Sequence, residues 1–242
     1  MRRSRTLQWE GCCNIRDLGG LPLEAGGKTR FGVVVRADYL GVLSEHGWRA
    51  LRDYGVRRIV DLRHEDDSYR CAVPRVAVPL LDDESLPEID ELLARVDDPI
   101  VWRRRNYLFM LERFSRNFAR AVSEVARTDD GATLVHCAGG IDRTGLVSAL
   151  LLRVAGVGLD AIGSDYAESE AGWKPTMAEW IDAAPDEAER RKRRMLSVIS
   201  AQAMHDVLLD LEREHGSTAE YLVRGGGTRE DLERVRARLT DR

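Results

Sequence analysis

The chain has 242 residues, of which 43% are hydrophobic and 32% are charged, and its formal net charge is −4. This composition is typical of a globular protein with a sizeable core, and the absence of excess positive charge argues against general nucleic-acid binding. The four cysteines include no CxxC pair and are too few for a disulfide framework, and the five histidines are scattered. We therefore expect no bound metal and no cofactor.

The first residues, MRRSRTLQWEGCC, are basic and lack the apolar stretch of a secretory signal. The most apolar run, LVSALLLRVAGVGL, is interrupted by Arg153 and is too short to cross a membrane. These features predict a cytoplasmic protein without a membrane span, and they leave its oligomeric state open.

Strand and helix patterns alternate along the first part of the chain. Residues 18–36 are glycine-rich and predict a hairpin that ends in the strand FGVVV. Residues 44–55 predict a helix, because a serine caps their start and a glycine follows their end. VRRIVDL, which starts at Val56, and RVAVPLL at 75–81 are the next two predicted strands.

The segment 82–98 is acidic and contains prolines, which predicts a loop with some helix. One long helix is predicted over 102–127, with its basic run WRRRN on a solvated face. The strand GATLVH follows at 131–136, and behind it comes a mostly apolar helix, RTGLVSALLLRVAG. From Leu159 onward the pattern is helical, with breaks predicted near Gly172–Pro175, Pro185, Gly216 and Gly225–Gly227.

This alternation predicts an α/β fold, with a central parallel or mixed sheet flanked by helices and a helical C-terminal part. No internal repeat and no long linker divides the chain. We therefore expect one domain over 1–242, with an α/β core over about 1–156 and a helical layer over about 157–242.

The string HCAGGIDRTG at 136–145 places Cys137 directly after a buried strand, and Arg143 at the start of a helix. Between them, Gly139 and Gly140 can adopt backbone angles that are closed to other residues. A strand–loop–helix turn of this kind directs its backbone N–H groups and the positive end of the helix dipole toward the loop centre. The pattern therefore predicts an anion-binding loop, and the planar guanidinium of Arg143 suits two phosphate oxygens.

The same surroundings favour the thiolate form of a cysteine, which is the nucleophilic form. The sequence therefore predicts that Cys137 attacks phosphorus and forms a phosphocysteine that water hydrolyses. Thr144 is placed to donate its hydroxyl to the sulfur, and we expect His136 to order the loop. A buried structural cysteine beside a glycine turn is the simpler interpretation, but it leaves most of this ten-residue string unexplained.

This string resembles the active-site signature HCxxGxxRTG of the protein tyrosine phosphatase superfamily. NIRDLGG at 14–20 resembles the N-terminal motif of a bacterial tyrosine-phosphatase-like family that includes dual protein and phosphoinositide phosphatases. The order of the later segments, VVVRADYL, VRRIVDLR and the C-terminal GSTAEYL with TREDLERVRARL, is also similar to that family. The resemblance implies Cys137 as the nucleophile, Arg143 as the phosphate clamp, and a phosphate-binding loop formed by Ala138, Gly139, Gly140, Ile141, Asp142 and Arg143.

Several phosphoinositide phosphatases of that family have lysine where this chain has Ile141. Without that cation the site lacks a partner for additional phosphates, which favours a singly phosphorylated substrate such as phosphotyrosine on a protein, or a small phosphomonoester. Phosphoinositide or dual-specificity activity, a rhodanese-type sulfurtransferase and a non-catalytic pseudophosphatase are the alternatives. The RTG continuation and NIRDLGG argue against the sulfurtransferase, and the intact Cys137, Arg143 and Asp142 argue against the pseudophosphatase.

A phosphomonoesterase also needs an acid to protonate its leaving oxygen. Asp142, inside the loop, is the first candidate. Asp61 ends a predicted strand and so reaches the same edge of the sheet, either as an acid or as support for the loop. Asp82 and Asp83 follow the strand RVAVPLL in the same way, although a solvated loop also explains them.

Arg16 and Asp17 in NIRDLGG either form an ion pair that fixes a turn or line the rim of the site. Arg36 and Arg63, each just past a strand, are possible partners for such carboxylates. Because the resemblance implies that NIRDLGG packs beside the site, a reversible disulfide of Cys12 or Cys13 with Cys137 is one hypothesis, but two half-buried thiols are the favoured interpretation.

Overall fold

The computed structural model describes residues 4–64, 69, 71, 73–82, 86–94 and 96–240. Within them lies a five-stranded sheet in the order β1-β2-β5-β3-β4. β1 is antiparallel to β2, and the other neighbours are parallel. The sheet is therefore mixed, as predicted. The strands are β1 Arg16–Asp17, β2 Val34–Ala37, β3 Val56–Asp61, β4 Arg75–Ala77 and β5 Ala132–His136.

Helices flank this sheet and form the C-terminal part, which confirms the predicted α/β class. Those before the β5 strand are α1 Glu45–Asp53, α2 Leu86–Ala94, α3 Pro99–Arg113 and α4 Ser115–Ala126. Those after it are α5 Asp142–Ala155, α6 Leu159–Ala167, α7 Ser169–Asp182, α8 Glu187–Ser197, α9 Ala201–His215, α10 Thr218–Arg224 and α11 Arg229–Leu239.

The start of α1 follows the predicted chemistry, since the Ser44 side chain accepts a hydrogen bond from the Gly47 amide. Three other boundaries differ from the sequence prediction. The strand after the glycine-rich hairpin begins at Val34, because Gly32 turns the chain with a φ of 77°. The predicted long helix is two helices that meet at Phe114, whose backbone leaves the helical region. α7 runs without a break through Pro175, so the break predicted there is wrong.

The glycine that suggested that break, Gly172, has a packing role instead. A Cβ at this position would lie 2.3 Å from the carbonyl oxygen of Cys13. Close approach between α7 and the N-terminal segment therefore requires glycine here. The breaks predicted near Pro185, Gly216 and Gly225–Gly227 are confirmed by the ends of α7, α9 and α10.

The apolar helix α5 lies behind β5, and α4, α6, α9, α10 and α11 pack around it. One core cluster contains residues of these helices together with Val34, Val60 and Val135 from the sheet. A second cluster joins the opposite face of the sheet to α1 and to Trp9 of the N-terminal segment. Both faces of the parallel strands are thus covered, which agrees with their continuous apolar sequences.

No helix among the described residues combines the length and the apolar character needed to cross a membrane.

Candidate active site

The loop that follows β5 lies at the carboxyl edge of the parallel strands. His136, the last residue of β5, is in register with Ala37 of β2 and with Asp61 of β3. Cys137 comes next and is only 3% exposed, and α5 starts at Asp142. The strand–loop–helix arrangement predicted from the sequence is therefore present, between the segments that leave β2 and β3.

Neighbouring groups hold the carbonyl oxygens of this loop from outside. The Tyr39 amide donates to the carbonyl of Ala138, with a nitrogen–oxygen distance of 3.0 Å. The carbonyl of Gly139 accepts from the indole nitrogen of Trp173 at 2.8 Å and from the side-chain amide of Asn14 at 3.1 Å. Two successive peptide units are thus oriented by donors from three separate segments of the chain.

The next carbonyl, that of Gly140, accepts from the Asn14 amide at 3.0 Å and from Arg36 Nη2 at 2.8 Å. In a planar trans peptide unit the N–H points away from its own carbonyl. The three outward carbonyls therefore direct the N–H groups of Gly139, Gly140 and Ile141 to the opposite side, toward the inside of the loop. Such a concave set of amides binds anions.

The two glycine positions of the loop differ in whether a residue with a side chain could be accommodated there. Gly140 has a φ of 64°, and a Cβ there would lie 2.7 Å from the carbonyl oxygen of Ala37. At Gly139 a Cβ would meet its nearest neighbours, Trp173 among them, at an ordinary 3.7 Å. Only Gly140 therefore needs glycine on steric grounds, although the sequence pattern treated both alike.

Arg143 and Thr144 occupy the first turn of α5. Arg143 is half-buried, and its Nη1 donates to the carbonyl of Leu62, just after β3, at 3.3 Å. Thr144 is fully buried, and its hydroxyl oxygen has no hydrogen-bond partner among the described residues. An unpartnered buried hydroxyl is costly, and here it stands seven residues after Cys137 in the helix that ends the loop.

His136 is fully buried and connects the loop to the segment after β3. Its Nδ1 lies 3.1 Å from the carbonyl oxygen of Cys137, and its Nε2 lies 2.7 Å from the hydroxyl of Tyr69. The carboxylate of Asp61 lies 3.4 Å from the same Nε2. These contacts match the ordering role expected of His136.

Asp61 is fully buried at the end of β3, and three cationic or polar groups surround it. Arg63 binds both carboxylate oxygens, at 3.0 Å each, and Arg75 binds Oδ2 at 2.9 Å. Burial by itself would raise the pKa of Asp61, but the hydrogen bonds from His136 and Arg63 outweigh burial and hold that pKa well below its usual value. These partners occupy both carboxylate oxygens, so neither oxygen is left to deliver a proton, and the geometry favours Asp61 as support for the loop over Asp61 as the acid.

Asp142 is the first residue of α5, and its side chain is 38% exposed. Its Oδ1 accepts from Arg103 Nη1 at 2.5 Å and from the Tyr107 hydroxyl at 2.7 Å. Arg103, which the sequence placed on a solvated helix face, is fully buried; that prediction is wrong because this guanidinium also binds the carbonyls of Leu196 and Val198.

Arg16 and Asp17 do not pair with each other, because successive residues of a strand point to opposite faces. Arg16 binds Asp165 of α6, with Nε 3.1 Å from Oδ1. Asp17 accepts from the amides of Gly19 and Gly32, at 2.5 Å and 2.8 Å. The predicted Arg16–Asp17 ion pair is therefore absent, and both side chains fix the surrounding structure through other partners.

Asp165 also pairs with Arg36, the second arginine for which the sequence predicted a carboxylate partner. Arg36 Nη1 donates to Asp165 Oδ2 at 2.9 Å, while its Nη2 holds the Gly140 carbonyl. Arg5 also pairs with this carboxylate. Burial would raise the pKa of Asp165, but the charges of Arg16, Arg36 and Arg5 lower it to about 2.

The remaining acid candidates lie elsewhere. Asp82 is 3.7 Å from Arg113 in an exposed ion pair at the end of α3. Asp83 lies outside the described residues. Among the residues that are described, no group of three or more His, Cys, Asp and Glu side chains is arranged to hold a metal ion.

Cys12 and Cys13 are free, as are the other cysteines. The Cys13 thiol donates to Asp38 Oδ2 at 3.2 Å, and the backbone amide of Cys13 reaches the same oxygen at 3.0 Å. Partial burial of the thiol and then the Asp38 charge raise the pKa of Cys13 to about 12.

Sequence reasoning missed most of the side chains that shape the loop. Asn14, Trp173, Arg103, Tyr107 and Asp165 contact the loop, or the residues that hold it, across 34 to 129 positions of sequence. The motif NIRDLGG could have pointed to Asn14, because it contains Asn14 together with Arg16 and Asp17, which the sequence did single out. The others belong to helices whose local pattern predicts only amphipathic packing.

The chain is thus an α/β protein in which a buried cysteine, a loop with inward amides and the helix α5 follow a parallel strand. A model of the tyrosine phosphatase family matches residues 7–241. The chain therefore belongs to the tyrosine phosphatase family.

Two relatives agree with this assignment. A candidate tyrosine-protein phosphatase of Cupriavidus necator is 30% identical over 174 residues, which cover 67% of this chain and 62% of that protein. A tyrosine-protein phosphatase of Nostoc commune is 26% identical over 219 residues, which cover 85% of this chain and 73% of that protein. The first alignment thus spans less than two thirds of the relative's own length.

Proposed function

We propose that this protein is a phosphomonoester hydrolase that acts through a phosphocysteine at Cys137, on singly phosphorylated substrates such as phosphotyrosine. The observation that carries the proposal is the set of outward carbonyls at Ala138, Gly139 and Gly140, because it turns three successive amides toward the inside of the loop that begins at the buried Cys137. Family membership gives the same class of reaction.

In this mechanism the loop amides and the Arg143 guanidinium bind the phosphate oxygens and stabilise the charge that grows on them in the transition state. The Cys137 thiolate attacks phosphorus, so the S–P bond forms while the ester P–O bond breaks. Asp142 donates its proton to the leaving oxygen. Water then attacks the phosphocysteine and gives a proton to the Asp142 carboxylate, and the S–P bond breaks to release phosphate and the thiolate.

The substrate class follows from the residue at position 141. Ile141 offers no charge to a second phosphate, and it is half-buried at the loop. The proposal therefore favours a monophosphate over a phosphoinositide that carries several phosphates.

The test is hydrolysis of aryl phosphates over pH 4–8 with EDTA present, comparing the wild type with Cys137→Ser and Asp142→Asn. We expect turnover in the wild type, no turnover in Cys137→Ser, and loss of the basic limb of the pH profile in Asp142→Asn. A folded wild type without turnover contradicts the proposal. Persulfide formation from thiosulfate would then identify a sulfurtransferase, and stoichiometric phosphopeptide binding a pseudophosphatase.

A further inference from the structure

A buried hydrogen-bond network lies behind the Asp142 carboxylate and has no part in the mechanism described so far. Arg103 and Tyr107 stand four residues apart on α3, and so share one face of that helix. Both are fully buried, although the Asp142 side chain that they bind is 38% exposed. Burying a guanidinium and a phenol is costly unless every polar group finds a partner, so an arrangement of this kind calls for an explanation.

Among the described residues, the hydrogen bonds of the Asp142 carboxylate all go to Oδ1. Arg103 Nη1 donates to this oxygen at 2.5 Å, and the Tyr107 hydroxyl donates to it at 2.7 Å. A protonated carboxyl carries its proton on one oxygen and accepts on the other. With two donors on Oδ1, the proton belongs on Oδ2.

While Asp142 is ionised and can only accept, the network holds one arrangement of protons. Arg103 Nη1 also donates to the Tyr107 oxygen, at 2.9 Å. Since Tyr107 has a single proton and gives it to Asp142, the 2.7 Å bond between Tyr107 and Tyr166 must have Tyr166 as its donor. Burial raises the pKa of Tyr107 well above its usual range and that of Tyr166 to about 12, so both phenols keep their protons near neutral pH.

Neighbouring elements hold Arg103 and Tyr166, the two ends of this network, in place. Arg103 uses its other nitrogens on the carbonyls of Leu196, at 2.6 Å, and Val198, at 2.9 Å, so its guanidinium plane is set by the end of α8 and the residue that follows it. The Tyr166 ring packs on α5 at Gly145, where a Cβ would come within 2.9 Å of it. Among the described residues, the charged and titratable groups around Asp142 are thus Arg103 and Tyr107 from α3, Tyr166 from α6, and Arg143, which follows Asp142 in α5.

We propose that Arg103 and Tyr107 are positioning residues for proton transfer: by occupying Oδ1 of Asp142 they leave Oδ2 to deliver the proton to the leaving oxygen. This inference rests on the proposed function and assigns residues that act through Asp142 without touching the substrate.

The decisive variant is Tyr107→Phe, which removes one donor and keeps the ring. We expect the effect to depend on the leaving group, because only a poor leaving group needs the proton that Asp142 delivers. We also expect the turnover of phenyl phosphate, a poor leaving group, to fall about 3–10-fold through lost orientation. Turnover of an activated nitrophenyl ester, which needs little protonation, should change less.

Tyr221→Phe is the matched control. It also removes a buried hydroxyl that bonds to α3, here to the carbonyl of Leu111 at 2.7 Å, without contact to Asp142. Its leaving-group dependence should equal that of the wild type. A change of the same size in the leaving-group dependence of both variants would show a general effect of loosening α3, and would overturn the inference.

A double-mutant cycle separates this inference from the proposed function. In an Asp142→Asn background, Tyr107→Phe should have no further effect on phenyl phosphate turnover, because the carboxyl group that Tyr107 orients is no longer present. An additive effect overturns the positioning role while leaving the phosphatase proposal intact, whereas absence of turnover in every protein, wild type included, contradicts the proposed function itself. If Tyr107→Phe does not fold, Arg103→Lys takes its place in the experiment. We expect the same loss of phenyl phosphate turnover from this variant. An unchanged leaving-group dependence would overturn the positioning role.

Discussion

Arg36 and Asp165 form an ion pair in which each side chain is only 1% exposed, with Nη1 2.9 Å from Oδ2. The other terminal nitrogen of Arg36 binds the Gly140 carbonyl in the cysteine loop. Asp165 is on α6 and Arg36 is on β2, so this pair joins a helix of the C-terminal part to the central sheet. The orientation of the loop amides therefore depends on a carboxylate that lies outside the loop.

Asp165→Asn tests how much the fold depends on this carboxylate. The substitution keeps the size of the side chain but leaves the charges of Arg5, Arg16 and Arg36 without their shared partner. Removing one member of a buried ion pair costs about 3–5 kcal/mol, and we expect a loss of this size in the free energy of unfolding, measured with urea.

The matched control is Asp160→Asn on the same helix. Asp160 is fully exposed, and its contact is His205 at 3.7 Å. Its replacement should change the free energy of unfolding by less than about 0.5 kcal/mol. Equal losses in the two variants would show that the buried network contributes nothing particular to stability.

The free energy of unfolding at low pH should depend on the protonation of Asp165. Its pKa is about 2 in the folded protein and about 3.9 in an unfolded chain. A lowered folded-state pKa gives stability that is present above pH 4 and is lost as the pH falls toward 2, here about 2–3 kcal/mol. The stability difference between the wild type and Asp165→Asn should therefore shrink between pH 4 and pH 2, and a difference that stays constant over this range contradicts the assignment.

The sequence predicted the strand, the loop and the helix of the candidate site because these features are encoded by neighbouring residues. A buried run followed by glycines and a helix start is a local pattern, and the structure agrees with it from Ala132 to Ala155. The class of fold was predictable for the same reason, since it depends on the alternation of strand and helix patterns along the chain.

The supports of the loop could not be predicted in this way. Arg16 pairs with Asp165, 149 positions away, and not with the adjacent Asp17. Arg103 lies in a basic run whose composition predicts a solvated surface, yet the carbonyls of Leu196 and Val198 and the Asp142 carboxylate compensate its burial. Partners of this kind are chosen by tertiary packing, which a local pattern does not contain.

The difference between the two loop glycines gives a direct test of the loop conformation. Gly140→Ala forces a side chain into a left-handed backbone, at about 1–2 kcal/mol, and adds a contact of 2.7 Å with the Ala37 carbonyl. Gly139→Ala adds only contacts of 3.7 Å. We expect Gly140→Ala to lower the free energy of unfolding by at least about 2 kcal/mol, and Gly139→Ala by less than about 1 kcal/mol. Equal effects would show that the loop adopts another conformation.

The reactivity of Cys13 provides a prediction on the proposed disulfide. Its pKa of about 12 means that the thiolate fraction at pH 8 is roughly 10³ times lower than for a thiol of ordinary pKa. Alkylation requires the thiolate, so Cys13 should react with iodoacetamide at least about 100-fold more slowly in the folded protein than in urea. Peptide mass spectrometry after timed labelling measures both rates.

Asp38→Asn should speed this labelling, because the Asp38 charge is one of the causes that hold the proton on Cys13. Disulfide formation with an oxidised cysteine needs the same thiolate, so brief peroxide treatment of the wild type should give no peptide that links Cys12 or Cys13 to Cys137. Fast labelling of Cys13 in the folded wild type, or a linked peptide that appears as quickly as the loss of turnover, would contradict this account and would make Cys13 the protecting thiol of the loop.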